Sequence, residues 1–329
     1  MTQPRRVLTG IKPTGHLHLG NYLGAIKPSI ELSREGSGIF FVADLHALTT
    51  LRDGALVRKL SREVAATWVA LGLDVEKNII FRQSDLAEIP LLNWVLACNT
   101  PVGLLERAHA YKAARDKGDS VNTGLFTYPV LMAADILAFR STHVPVGQDQ
   151  KQHVEIARDL ASSFNHAYGD PKAEVGILTL PEPMIREEVA TIPGIDGRKM
   201  SKSYDNQIPI FADPKELKKR VFAIVTDSTP MEEPKNPDTC NIYAIYKLFA
   251  TAEQSADLAA KYRAGNFGWG HAKAALLELL TTTFAPYRAK YDELIVEGSA
   301  LDTILLRGAE RARAIARPVL ADVRHAAGI

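Results

Sequence analysis

The chain has 329 residues, 46% of them hydrophobic and 23% charged, and its 39 Lys and Arg against 38 Asp and Glu leave a formal net charge of +1. That is ordinary globular composition; it excludes disorder, collagen and coiled coil, and near-neutrality argues against a surface that coats nucleic acid throughout. At about 150 residues per domain, the length suggests roughly two domains.

Residues 6–11 (RVLTGI) read as a short buried strand, followed by a turn at Lys12-Pro13-Thr14-Gly15 and a helix opening near Gly20-Asn21. GIFFVADL (38–45) reads as a second strand. Residues 57–73 form a helix with Leu60, Val64, Trp68 and Leu71 on one stripe, and NIIFRQS (78–84) is a third strand. Strands alternating with helices imply a parallel sheet that binds ligands at the carboxyl ends of its strands. Past residue 100 the β signals thin. PVLMAADILAFR (129–140) reads as a helix feeding a strand at THVPVG (142–147), and a long helix then carries His153, Ala157, Leu160 and Phe164 on one face. A Pro-rich stretch (180–194) leads into the basic loop GRKMSKS (197–203). After Asp213 the pattern is helical, with Leu276, Leu280, Phe284, Tyr287 and Tyr291 at helical spacing, interrupted by Pro286.

Cys98 and Cys240 lie far apart with no Cys-x-x-Cys spacing, so neither a disulfide framework nor a cysteine zinc site is expected, and a reducing cytosol fits. No stretch approaches 18 uncharged apolar residues, so export and membrane spanning are not expected.

Two motifs carry chemistry. Thr14-Gly15-His16-Leu17-His18-Leu19-Gly20-Asn21 sits where strand becomes helix, and its glycines, the His18 imidazole and the Asn21 amide suit phosphate oxygens. Gly10-x-x-x-x-Gly15 is half of a P-loop, but His16-Leu17 stands where Lys and Ser or Thr are required. Gly197-Arg198-Lys199-Met200-Ser201-Lys202-Ser203 places three cations in a short loop. Such a loop is either a solvated basic face or a clamp on the β- and γ-phosphates of a triphosphate as pyrophosphate leaves.

As a pair, these motifs resemble the signatures of class I aminoacyl-tRNA synthetases, with Asn21 in place of the second His of the first. PTGHLHLGNYLGA, TYPVLMAADIL, VPVGQDQKQHVEIARDLASSFN and RKMSKS, in this order, resemble the bacterial tryptophanyl-tRNA synthetases across essentially the whole chain. The resemblance implies an α/β fold. A Rossmann-like parallel-sheet catalytic domain would span 1–206 with a helical insertion at about 85–180, the expected dimer interface, and a helical anticodon-binding domain would span 207–329. It implies activation of L-tryptophan by ATP to tryptophanyl-adenylate and pyrophosphate, then transfer to tRNA(Trp) in protein synthesis, by a cytoplasmic homodimer with no membrane association.

By the same resemblance, His18, Asn21, Lys199 and Lys202 are catalytic. Lys12, Pro13, Thr14, Gly15, Gly20, Gly147, Asp149, Gln150, Met200, Ser201 and Ser203 join them around ATP, whose Mg²⁺ arrives with the nucleotide rather than on a protein metal site. Leu8, His46, Tyr128, Met132, Asp135, Val144, Val146 and Gln150 line the tryptophan pocket, with Asp135 accepting the indole N–H and Tyr128 and Gln150 holding the ammonium and carboxylate. From the residues alone, Asp135 in LMAADILAF is equally a surface carboxylate or the partner of a structural Arg. Tyr128 is equally core, and His46 equally a structural histidine. Lys215, Lys218, Lys219 and Arg220 are equally RNA contacts or a solvated face.

Two positions depart from the family pattern. Lys12 stands where many members have Gln and is expected to bond the tryptophan carboxylate or α-phosphate, and Leu8 stands where an aromatic residue is frequent. The competing readings are a tyrosine-activating relative, a cofactor nucleotidylyltransferase of the His-x-Gly-His type, and a paralogue that binds tryptophan or RNA without charging tRNA.

Overall fold

The computed structural model describes residues 6–34, 38–118, 120–170, 172–173, 175–185 and 192–329. Five strands, β1 (Val7–Ile11), β2 (Gly38–Val42), β3 (Ile79–Arg82), β4 (His143–Val146) and β5 (Glu182–Ile185), form one parallel sheet in the order β3-β2-β1-β4-β5. The helices are α1 (Leu19–Asn21), continued by a π turn at Tyr22–Ile26 into α2 (Lys27–Ser33), then α3 (Asp44–Ala47), α4 (Gly54–Ala70), α5 (Glu88–Cys98), α6 (Val102–Glu106), α7 (His109–Asp116), α8 (Thr123–Leu137) and α9 (Lys151–Tyr168). Further on come α10 (Pro214–Phe222), α11 (Asn241–Tyr246), α12 (Ala252–Ala264), α13 (Trp269–Leu294) and α14 (Ala300–Ala327).

The expected strands at 6–11, 38–45, 78–84 and 142–147 are present as β1 to β4. The helical stripes are buried too: Leu60, Val64, Trp68 and Leu71 around α4, and His153, Ala157, Leu160 and Phe164 on α9. Three readings are corrected. β5 falls in the Pro-rich stretch that had not read as a strand; Pro183 is admitted because β5 is an edge strand, where a missing N–H costs no ladder bond. Helix α8 begins six residues before Pro129, since Asn122 caps it by accepting the Leu125 N–H at 2.9 Å. Pro286 does not end α13, which runs through it to Leu294.

The chain packs as two units. One comprises 1–14, 29–187 and 294–329 and holds the whole sheet; the other comprises 15–28 and 188–293. The expected boundary at 206/207 is therefore not where packing divides the molecule. The reason lies in α14, whose side chains and backbone engage β3 and its flanks. Arg311 donates to the carbonyls of Val75 and Asn78 at 2.8 and 2.9 Å, and Arg307 pairs with Glu76 at 3.0 Å. Gly308 lies so close to the strand that a Cβ there would sit 1.7 Å from the Ile80 carbonyl oxygen. Both partners are backbone, so neither can rotate away. Gly308→Ala is expected to cost about 3 kcal/mol and to lower Tm by roughly 6–12 °C. Gly270→Ala, in α13 where an added methyl meets open space, should leave Tm unchanged or raise it; equal Tm values for the two variants would refute this account.

Within the sheet, Gly10 faces Phe41 across the β1–β2 ladder, and a Cβ at Gly10 would lie 2.4 Å from the Phe41 ring. The first glycine of the half P-loop pattern thus serves packing. The core beneath the sheet gathers Leu8, Ile39, Phe81, Val130, Phe139 and Phe164 among others, so Leu8 is a core residue at 2% exposure.

Candidate active site

In the sheet-bearing unit, the carboxyl ends of β2 and β3 converge on one carboxylate. Asp135 sits on α8 in a run of buried apolar residues and is itself 1% exposed. Its Oδ2 lies 2.9 Å from His46 Nε2, on α3 just after β2, and its Oδ1 accepts from Gln83 Nε2 at 2.7 Å, in the turn just after β3. Burial pushes the carboxyl above the ordinary aspartate range, and the His46 and Gln83 bonds oppose that push. The partner of Asp135 is thus neither solvent nor a structural Arg. Nearby Asp44 accepts from the Ser84 N–H at 3.0 Å and binds the Ser84 hydroxyl, and burial raises its carboxyl as well.

His46 links this carboxylate to a second expected pocket residue, Tyr128. The His46 and Tyr128 rings meet edge to face at 6.2 Å, and the Tyr128 hydroxyl bonds His153 Nε2. Met132 and Val146 are half-buried against the core, and Val144 is buried within it. Gln150 is half-buried, in a short helical turn whose backbone N–H bonds the Gly147 carbonyl. The side chain of Asp149 lies outside the described residues. Lys12 donates to Thr49 Oγ1 at 2.8 Å, Thr49 Oγ1 donates in turn to the His46 carbonyl at 2.8 Å, and burial lowers the Lys12 ammonium pKa. Pro13 is buried and Thr14 half-buried beside it.

The second unit holds the phosphate motifs. His18 caps the helix that follows: its Nδ1 accepts the Gly20 N–H at 3.1 Å, while Asn21 Oδ1 accepts the His18 N–H at 3.1 Å. Each side chain therefore spends its acceptor end on the backbone, and its donor end, Nε2–H or Nδ2–H₂, takes no part in these two bonds. Burial first, and the Lys202 charge second, push the imidazole pKa down to about 4, so His18 is a neutral donor at neutral pH. A Cβ at Gly20 would come 2.9 Å from that ring, which accounts for the glycine. Lys202 Nζ donates to the Gly15 carbonyl at 3.0 Å, so the two motifs, far apart in sequence, meet.

The basic loop starts at Gly197, whose φ of 81° suits glycine, and is fastened by Asn206. Asn206 is 1% exposed; its Oδ1 accepts the Ser201 N–H at 2.8 Å and its Nδ2 donates to Asp196 at 2.7 Å and to the Lys199 carbonyl at 3.1 Å. Met200 is buried beneath, while Lys199 and Ser203 are exposed and Ser201 half-buried. The third cation is spent locally, since Arg198 pairs with Asp196 at 2.6 Å and lies over the Tyr204 ring.

Sequence reasoning missed Gln83, Thr49, His153 and Asn206 as site residues. For Gln83 a signal existed: a polar side chain directly after an apolar parallel strand stands where such sheets bind ligands.

A family model described as tRNA synthetases class I (W and Y) matches residues 1–285. The chain belongs to that family. A tryptophan--tRNA ligase of Rhodopirellula baltica is 48% identical to this synthetase, over 98% of this chain and 99% of its own. One from Campylobacter jejuni is 47% identical over 98% and 100%. A solved structure of the Campylobacter jejuni tryptophanyl-tRNA synthetase, complexed with ADP and tryptophan, superposes with a TM-score of 0.93 at 47% identity over 98% of this chain and 100% of that one. The Mycoplasma pneumoniae tryptophanyl-tRNA synthetase does so with a TM-score of 0.78 at 29% identity, over 99% and 98%.

Proposed function

We propose that this synthetase is a tryptophan–tRNA ligase. The observation that carries the reading is Asp135, a carboxylate in an apolar wall whose two oxygens are held by donors, which suits the donor-only N–H of an indole. In the first step a carboxylate oxygen of tryptophan attacks the α-phosphorus of ATP, forming tryptophanyl-adenylate and expelling pyrophosphate. In the second, a hydroxyl of the 3′-terminal ribose of tRNA(Trp) attacks the acyl carbon and AMP leaves. No protein nucleophile is needed. The residues position the reactants and stabilise phosphate charge: His18 and Asn21 through their donor ends, Lys199 and Lys202 through their ammonium groups. Gly15, Gly20, Met200, Ser201 and Ser203 shape the nucleotide side of the phosphate-motif unit. Leu8, His46, Tyr128, Met132, Val144 and Val146 support or line the amino-acid pocket, and Lys12, held by Thr49, bonds the tryptophan carboxylate or the α-phosphate.

Among the described residues no cluster of three or more His, Cys, Asp or Glu is arranged to hold a metal ion. Mg²⁺ would arrive with ATP, and the positive charge it would supply would add to that of Lys199 and Lys202. The proposed assembly is a homodimer in the cytoplasm, with the exposed apolar side chains Leu91, Trp94 (67%) and Val102 (62%) at its interface. No helix among the described residues is long and apolar enough to cross a membrane. The anticodon role proposed for the region from 207 onward draws on α10, where Lys215 and Lys218 lack an ion-pair partner among the described residues. Arg220, by contrast, is spent on Glu216 and Asp205 at 2.8 and 3.1 Å.

The test is ATP–pyrophosphate exchange with tryptophan, tyrosine and phenylalanine in parallel, followed by charging of tRNA(Trp). Exchange with tryptophan alone is expected. Exchange driven by tyrosine would favour the tyrosine-activating reading, and binding of tryptophan and ATP without exchange would favour a non-catalytic paralogue.

A further inference from the structure

Gln83 has no exposure to solvent, yet both ends of its amide are engaged. Its Oε1 accepts the Leu45 N–H at 3.1 Å and its Nε2 donates to Asp135 Oδ1 at 2.7 Å. The orientation of the amide is not free. The Leu45 N–H, which Asp44 Oδ1 also accepts at 3.0 Å, can only donate, so the end of the amide that faces it is the oxygen and the NH₂ end faces the carboxylate. An amide does not titrate, so this donation persists at every working pH. Asp135 Oδ1 is thereby kept as an acceptor. A proton on the carboxyl has to sit on Oδ2 and can do so only if His46 Nε2, 2.9 Å away, gives up its own.

From this geometry we infer that Gln83 is a positioning residue that sets amino-acid specificity, by holding Asp135 as an acceptor-only group matched to a donor-only ring N–H. The inference rests on the proposed tryptophan reading and extends it. The groups facing Asp135 bear on it in opposite senses. On α3, His46 supports the anion and the charge of Asp44 opposes it, and Gln83 supports it from the turn after β3; Tyr128, on α8 itself, reaches it only through the His46 ring. Burial disfavours the anion, so it depends on the two donors. A carboxyl that had taken up a proton could itself donate, and the pocket would lose its demand for an N–H. Gln83 thus converts a buried acid, ambiguous in its hydrogen bonding, into a reader of one chemical feature.

The experiment compares tryptophan with β-(3-benzothienyl)alanine, in which sulfur replaces the ring N–H at nearly the same shape, in ATP–pyrophosphate exchange by Gln83→Met and Gln83→Glu. In Gln83→Met the donor is gone at similar volume. KM for tryptophan should rise about ten- to a hundred-fold, the preference for tryptophan over the sulfur analogue should fall by a similar factor, and the acidic limb of kcat/KM should move to higher pH. In Gln83→Glu one oxygen still accepts from Leu45, but the other opposes Asp135, two carboxyls come to share a proton, and the acidic limb should move further. KM for ATP should hold in both, while Tm should fall in both because a buried hydrogen-bond partner is lost, and further in Gln83→Glu, which buries a second carboxyl. If KM for the two amino acids rises together with an unchanged ratio, or the limb stays in place in both variants, the inference is overturned. Absence of tryptophan-dependent exchange in the unsubstituted protein would overturn the proposed function and this inference with it; exchange there with unmoved variants would overturn the inference alone.

Discussion

Asp135→Ala should lower kcat/KM for tryptophan in ATP–pyrophosphate exchange by roughly a thousand-fold or more, while KM for ATP changes little. The substitution removes the proposed acceptor for the indole N–H. It also leaves His46 Nε2 and Gln83 Nε2, now bonded at 2.9 and 2.7 Å, as buried donors with no acceptor between them. A site built to pair a polar group discriminates far more strongly than an apolar pocket, because the mismatched ligand strands that group without a partner. Asp135→Asn tests the charge separately: it keeps one acceptor oxygen but turns an NH₂ toward one of the two donors, so its activity should fall below wild type yet stay above Asp135→Ala. The pH profile follows from the raised carboxyl. On the proposed role of Asp135, tryptophan recognition needs the anion, so kcat/KM should fall as pH drops through a value above the ordinary aspartate range, whereas KM for ATP should not track that limb. A variant lacking Asp135 that kept the wild-type KM for tryptophan would remove the basis of the assignment.

The second large effect belongs to the basic loop. Lys202→Ala should lower kcat for adenylate formation about a hundred- to a thousand-fold with little change in KM for tryptophan, the expected loss when one preorganised charge facing a transition state is removed. Lys202→Arg should recover only part of it, since a planar fork cannot stand in for a compact ammonium. An independent readout sits at His18. Its pKa is held at about 4 by burial first and by the Lys202 charge second, so Lys202→Ala should move the imidazole titration upward while leaving it below 6.5. NMR of the ring protons would follow it. Full activity in Lys202→Ala, or an unmoved His18 titration, would contradict the loop geometry in which Lys202 Nζ reaches the Gly15 carbonyl at 3.0 Å.

Legibility in the sequence followed the range of the interactions. Strands and helices whose apolar spacing is local, such as β2, β3 and α4, were readable because each residue's burial follows from the period of its own element. The exception, β5, carries a proline that excludes it from a sheet interior but not from an edge, and edge status belongs to the assembled sheet. The basic loop was readable as a run of cations, yet the run did not say which would be spent. Arg198 pairs with Asp196 two residues away, while Lys202 reaches back to Gly15. Asp135 stood out as one carboxylate in LMAADILAF, and its meaning came from His46 and Gln83, 89 and 52 positions away. Net charge misled: a sum of +1 hides a basic loop suited to a polyanion.

By itself the sequence determined the element types, the parallel alternation that puts ligands at strand ends, and the two motifs whose order and spacing mark the family. These depend on periodicity and on residue chemistry, which every chain position carries with it. Only the tertiary structure decided that His18 spends Nδ1 on its own helix and carries a neutral imidazole, that Gln83 completes the environment of Asp135, and that 294–329 packs with the sheet through Gly308. Each of these is a contact whose partner is set by folding, because hydrogen-bond direction and backbone clearance exist only once distant segments are brought within a few ångströms of one another.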